Sequence, residues 1–209
     1  MGVIKRGILG GFSNKVGNIV GSSWKGIAVV KSLPLSVANP RTAGQVMQRN
    51  RFSVLTVLGS NLLAAIIKPL WDRFATAMSG FNAFISANRN AFYPTGELNM
   101  DALQMSAGRI LKPTLSVESQ SGSSVTMKFT HPVNDRFALP TDRLYVVAID
   151  NVSQDVGAAE ITAQTRGAGA STNVTFSTKA NWTRGGDAYF YGGYLRADGS
   201  EVSNSASIV

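Results

Sequence analysis

The chain has 209 residues, a hydrophobic fraction of 44%, a charged fraction of only 15% and no cysteine. Such a composition supports a buried core and excludes a disordered chain, and the missing cysteine excludes disulfides, thiolate metal sites and a cysteine nucleophile. The formal charge of +8 sits at the front: residues 1–90 hold eleven Lys or Arg against Asp72 alone, while residues 91–209 hold nine against eleven acidic residues. A cation-only opening repels itself and favours a negative surface, so the split predicts two parts with different roles.

Residues 1–34 are Gly-rich and basic. Two β-capable runs, 16–24 and 27–33, flank Lys25–Gly26 and predict a hairpin. The first run carries Gly17, Gly21, Ser22 and Ser23 and has little to bury. It suits close approach of another backbone, or an edge left open for pairing. An isolated hairpin buries too little to stand alone, so this one is expected to dock on the rest of the chain or on a neighbour. Residues 35–40 read as a linker, with Pro40 turning Asn39 away from the helical region.

Thr42 and Gln45 fit a capping box, and a helix is predicted from Ala43 to Ile67. Its polar side is Gln45, Arg49, Ser53, Thr56 and Ser60, and its apolar side includes Leu55, Leu58, Leu62 and Ile66. Lys68–Pro69 is expected to end this helix and open a second, Leu70 to Phe92, broken or kinked at Ser79–Gly80. Tyr93-Pro94-Thr95-Gly96 closes the helical region. Leu103, Met105 and Ala107 alternate with other residues and predict a strand joining the two halves.

From Pro113 onward the period changes to two. Leu115–Val117, Val125–Phe129, Leu144–Ile149, Ala159–Ala163, Val174–Phe176, Ala188–Tyr194 and Val202–Ile208 are predicted strands, separated by Gly, Asn, Asp and Pro. This spacing predicts an immunoglobulin- or fibronectin-like β-sandwich, with Asp198–Gly199 turning the final pair. The fold class is therefore α+β, divided into residues 1–112 (hairpin and helical region) and 113–209 (sandwich).

The opening MGVIKRGILGGF has no apolar core of signal-peptide length. No apolar run approaches the ~18 residues of a membrane span, so neither export nor membrane insertion is expected. Asn151, Asn173 and Asn181 begin Asn-x-Ser/Thr triplets, read here as strand and turn residues rather than glycan acceptors.

A search for chemistry returns little. The single histidine, His131, precedes Pro132 and reads as a loop imidazole; one His without Cys builds no typical zinc site. Gly21-Ser22-Ser23-Trp24-Lys25-Gly26 lacks the order of a phosphate-binding loop, and Gly7-Ile8-Leu9-Gly10-Gly11 lacks the dinucleotide fingerprint. Asp150 and Asp155, with Asn151 and Gln154, lack calcium-loop spacing. No catalytic, cofactor or metal set is identified, and an enzyme is the least expected class.

The basic front is the remaining signal. Phe12 and Trp24 are the expected apolar anchors, and Lys15, Lys25, Lys31, Arg41 and Arg49 the expected charge contacts. Such a surface fits the acidic face of a protein partner. Basic groups interleaved with aromatics also fit a phosphate backbone and its bases, which keeps nucleic acid as the alternative partner. A third reading is a surface or carbohydrate module, with Tyr189, Tyr191 and Tyr194 as a sugar platform.

The run GILGGFSNKVGNIVGSSWKGIAVVKSLP, followed by NPRTAGQVMQRNRF, FNAFISANRNAF and ADGSEVSNSASIV, resembles a domain family of the Bacteroidota and their phages. The similarity runs along most of the chain and is strongest in residues 7–52. The family has no established activity and no catalytic residues to carry over. Its company with phage genes implies, by analogy, a virion component, and Asn-Pro-Arg-Thr ahead of a helix is similar to segments of phage structural proteins. The resemblance thus implies a non-enzymatic structural protein of a phage particle, made in the bacterial cytoplasm. It would be a homo-oligomer contacting neighbouring subunits, with head decoration, connector and tail or filament roles all open.

Overall fold

The computed structural model describes residues 3–4, 11–36, 39–150, 153–178 and 188–208. The chain divides into two compact units, Met1–Thr42 and Ala43–Val209.

The first unit is a sheet of β1 (Val3–Ile4), β2 (Phe12–Val16), β3 (Ile19–Trp24) and β4 (Ile27–Ser32), in the order β1-β2-β3-β4. The predicted hairpin is β3–β4, with Trp24 opposite Ile27 across Lys25–Gly26. Both turn residues have positive φ, 48° and 83°. That is the primed turn whose twist matches the flanking strands. A second hairpin joins β2 to β3, with Val16 opposite Ile19 and Gly17 at φ 57°. The sequence does not announce β2, because Phe-Ser-Asn-Lys-Val has no apolar alternation.

The second unit opens with α1, Ala43–Trp71. It is regular over Ala43–Leu62, widens into a π-helical turn over Leu63–Ile67, and returns to α over Lys68–Trp71. In the wide turn the Lys68 N–H donates to the Leu63 carbonyl, five residues back. The expected stop at Lys68–Pro69 is therefore a bulge. Pro69 has no N–H to give and its ring crowds the preceding turn, and a widened turn accommodates both defects without ending the helix. By length and hydropathy α1 is apolar enough to cross a membrane (mean hydropathy 1.6 over its best window), and its C-terminal half is committed to the core described below.

After Trp71 the chain turns, and α2 (Gly80–Asn88) begins where Ser79 Oγ accepts from the Asn82 N–H at 3.3 Å. Asp72 Oδ1 accepts from the Gly80 N–H at 2.9 Å and fixes that turn. The second predicted helix is thus split between the end of α1 and α2. The predicted strand near Leu103–Ala107 is an extended segment without a ladder. Its N–H groups go to side chains instead: Gln104 to Asn88 Oδ1, Met105 to Ser205 Oγ and Gly108 to Asn204 Oδ1. That satisfies the backbone as well as a sheet would.

Seven antiparallel strands follow: β5 (Thr114–Ser121), β6 (Ser124–Thr130), β7 (Arg143–Asp150), β8 (Val156–Thr165), β9 (Ser171–Ser177), β10 (Ala188–Leu195) and β11 (Ala206–Ile208). They form two sheets, β11-β10-β7-β8 and β5-β6-β9. Only the last predicted strand is shortened, with Val202 bridging Leu195 ahead of β11.

The four-stranded sheet is buried on both faces, because alternate residues meet different layers. Tyr145, Val147, Ile149, Tyr191 and Leu195 join Leu58, Leu62, Ile66, Ile67 and Phe84 in one core. Leu144, Val146, Ala148, Phe190 and Tyr194 join Val125, Met127, Phe129, Val174 and Phe176 in the other. Gly192 and Gly193 make this possible in β10. A Cβ at Gly192 would lie 2.6 Å from the Phe129 ring, and one at Gly193 would lie 2.7 Å from the Tyr145 ring on the opposite face.

The chain is thus α+β, with helices, a four-stranded sheet and a three-stranded sheet layered in the second unit. The expected boundary at 112/113 falls inside that unit, and the division comes after Thr42 instead. The reason is packing: residues 43–112 supply one side of the first core, and β7 and β10 supply the other.

Candidate functional site: an uncovered basic sheet

In the sheet of the first unit, directly opposed residues project to the same side. Lys15, Val20 and Lys31 form one cross-strand row, Ser22 and Val29 the next, and Trp24 with Ile27 the last. This side is cationic at one end and apolar at the other. Lys25 in the turn sets its Nζ 5.2 Å from the centre of the Trp24 ring, a cation–π contact that leaves the ring in reach of solvent. Four of the residues expected as contacts, Lys15, Trp24, Lys25 and Lys31, therefore fall together on one side and its rim.

The other side carries Val16, Ile19, Ala28 and Val30. Phe12 is half-buried and packs on this side, against Gly21. A Cβ at Gly21 would lie 2.2 Å from the Phe12 carbonyl oxygen and 2.7 Å from its ring, so the glycine exists to let β2 and Phe12 lie down on β3. The close approach that the Gly-rich strand predicts is thus made within the same sheet. Arg41 lies exposed in the segment ahead of α1, and Arg49 is exposed on α1 in the second unit. Neither arginine is a residue of the sheet.

Among the described residues of this unit, Gly21 alone is buried. Trp24 is 51% exposed, Ile27 62% and Val30 61%. Sequence reasoning named Trp24 but missed Ile27, Val29 and Val30. The signal was present: Ile27-Ala28-Val29-Val30 is apolar on both parities, the pattern of a strand covered on both faces. The charge is equally lopsided, since no Asp or Glu precedes Asp72.

The other candidates resolve differently. His131 lies in the loop just after β6, as expected, but it is buried, with Nδ1 2.8 Å from the Tyr194 hydroxyl and Nε2 3.0 Å from Thr172 Oγ1, so it ties that loop to β9 and β10. Burial, and then the neighbouring Arg166 guanidinium, hold its pKa below the usual imidazole value. It borders a cleft of about 470 Å³ at one end of the two sheets. The cation there is already engaged: Arg166 Nη1 lies 3.7 Å from Asp135 Oδ2, and Nη2 donates to the Pro132 carbonyl.

Tyr191 and Tyr194 are fully buried on opposite faces of β10, the first donating to the Met100 carbonyl, so no tyrosine platform forms. Burial raises both phenolic pKa values far above normal and keeps them neutral. Asp150 is occupied locally, its Oδ1 accepting from the Ser153 N–H at 2.5 Å. Among the described residues no group of three or more His, Cys, Asp or Glu is placed to hold a metal. Asn173 is exposed on β9, while Asn151 and Asn181 lie outside the described residues.

Fold and site together define an α+β protein that carries an uncovered basic sheet ahead of a layered body. The chain belongs to a family of unknown function, DUF6266, matched over residues 11–209. A search of curated proteins finds no match.

Proposed function

We propose that this chain is a non-enzymatic structural or assembly protein that grips neighbouring protein subunits through its N-terminal sheet. The observation that carries this is β4. Ile27, Val29 and Val30 are three large apolar side chains on one strand, pointing to both sides of the sheet and exposed on both. Fully burying side chains of this size is worth roughly 1.5–3 kcal/mol each. A docked partner recovers that free energy, and Lys15, Lys25 and Lys31 orient it by charge. The second unit is the rigid body. Its three-on-four antiparallel sheets, sharing one core, support an immunoglobulin- or fibronectin-like sandwich whose outer face is covered by α1 and α2.

The assembly we favour is a phage particle, an expectation taken by analogy from the company with phage genes of the Bacteroidota and phage family that the sequence resembles. The test is mass spectrometry of purified virions from a phage encoding the chain. The full-length protein is expected in stoichiometric amount. A Trp24→Ser, Ile27→Ser double variant is expected to drop out, while Phe52→Ser, on the exposed flank of α1, is retained. Absence of the wild-type chain from particles defeats the reading. Lys25 over Trp24, with Lys15 and Lys31 on the same side, also fits nucleic acid. That second reading predicts affinity that falls steeply with salt.

A further inference from the structure

Among the described residues β4 is one edge of the N-terminal sheet, and the turn fixes what it offers. Trp24 and Ile27 flank a two-residue turn, so they form a hydrogen-bonded pair, and such pairs alternate along an antiparallel ladder. Residues 27, 29 and 31 therefore direct their N–H and C=O groups to β3. Leu33 continues the pattern, its N–H donating to the Asn18 carbonyl at 2.7 Å. Ala28, Val30 and Ser32 direct theirs outward, along the open edge. Edges are normally blunted by proline, a bulge, shortness or a charged side chain, and of these β4 carries only Lys31. β4 has no proline, and its six residues pair with β3 without a shift of register.

About Val30 the strand mirrors small on small and large apolar on large apolar at two of three steps, and sets Val29 against Lys31 at the third. Val29 mirrors Lys31, Ala28 mirrors Ser32, and Ile27 mirrors Leu33. We propose that β4 pairs antiparallel with β4 of a second copy, about a two-fold axis through Val30. The outward groups of Ala28, Val30 and Ser32 then meet those of Ser32, Val30 and Ala28 in the second copy, forming about six backbone hydrogen bonds. Lys31 falls opposite Val29 and lays its methylene stem along it. Ile27 falls opposite Leu33, and both are exposed in the single chain.

Other registers are worse. An axis at Lys31 opposes lysine to lysine, which destabilises the pair, and an axis at Val29 loses one of the hydrogen-bonded pairs. The interface is isologous and leaves no edge of β4 open for a third copy. This inference rests on the assembly reading and names its first partner: another copy of the chain.

Charge separates this partner from others. Each sheet brings Lys15, Lys25 and Lys31, so two copies repel, and added salt screens that repulsion and tightens the dimer. An acidic protein or a nucleic acid on the same edge would be released by salt instead. The experiment is sedimentation velocity on the full-length chain over a range of concentrations, at about 0.05 and 0.5 M salt. A monomer–dimer equilibrium that tightens with salt is expected.

Val30→Pro removes an outward N–H and no bond within the sheet, because proline is tolerated on an edge whose N–H faces solvent. It is expected to abolish the dimer with an unchanged circular dichroism spectrum. Val29→Glu sets a carboxylate opposite Lys31 of the second copy, twice per dimer. It is expected to tighten association roughly tenfold at low salt and to reverse the salt response. A chain that stays monomeric throughout, a Val30→Pro variant that dimerises as well as wild type, or a Val29→Glu variant that dimerises less, overturns the pairing. A monomeric chain still found in virions defeats the edge pairing and spares the assembly reading. A dimer of the expected behaviour that is absent from virions keeps the pairing and defeats that reading.

Discussion

Removing residues 1–112 leaves the seven-stranded part that the sequence marks as a domain, and we expect that fragment not to fold. Residues 113–209 keep the core between the two sheets except for Ile110, but lose every helix residue facing β7 and β10. Tyr145, Val147, Ile149, Tyr191, Leu195 and Val202, all buried in the intact chain, become exposed. At about 1.5–3 kcal/mol for each such side chain, the loss is roughly 9–18 kcal/mol. This is an upper estimate, since unfolded chains already bury part of their apolar surface, but it matches the whole stability of a typical domain, about 5–15 kcal/mol. Tyr145 and Tyr191 lose more, because their hydroxyls bond to Ser106 and to the Met100 carbonyl in the removed segment. Removing residues 1–42 instead leaves both cores whole. Thermal unfolding followed by circular dichroism decides the matter: residues 43–209 are expected to melt cooperatively, and residues 113–209 to show no cooperative transition. A fragment 113–209 that melts cooperatively near the temperature of 43–209 would refute the shared-core argument.

Two further substitutions probe the same body. Gly193→Ala puts a methyl 2.5 Å from Ser203 Oγ and 2.7 Å from the Tyr145 ring, and overpacking of that kind costs about 1–3 kcal/mol, read as a lowered midpoint in urea. Gly44→Ala meets nothing within 4 Å in the first turn of α1 and is expected to be neutral or stabilising by up to about 1 kcal/mol, which makes it the control. His131 gives a pH signature. Its folded pKa lies below the unfolded value of about 6.5, so as pH falls through that value the unfolded chain takes up a proton that the folded chain resists, and stability drops until the folded pKa is passed. Urea midpoints measured from pH 7 to pH 5 are expected to fall more steeply for wild type than for His131→Gln, and equal slopes would contradict the assignment.

Much of the secondary structure is legible from local patterning. The hairpin at Lys25–Gly26, the start of α1 after Thr42, and strands β5 to β10 follow from turn residues and apolar periods that depend only on near neighbours. β2 was invisible because Phe12 and Val16 are separated by Ser13, Asn14 and Lys15, and its place comes from Gly21 yielding space to Phe12. Pro69 misled because proline's local preference for ending a helix was overridden by a wide turn in a buried segment. The site was half legible for the same reason. Composition marked Lys15, Trp24, Lys25 and Lys31, but their sharing one side of a sheet depends on strand register, and so does the relegation of Phe12 to the other side.

The amino-acid order alone determined where cations gather and where strands and helices begin, because charge, turn geometry and apolar period act over a few residues. Only the tertiary structure decided that the helices share a core with the strands after residue 112, that the break comes at Thr42, and that, among the described residues, β4 is exposed on both sides and unpaired along one edge. Those outcomes depend on which surfaces meet across long sequence separations, and burial is a property of the whole packed chain.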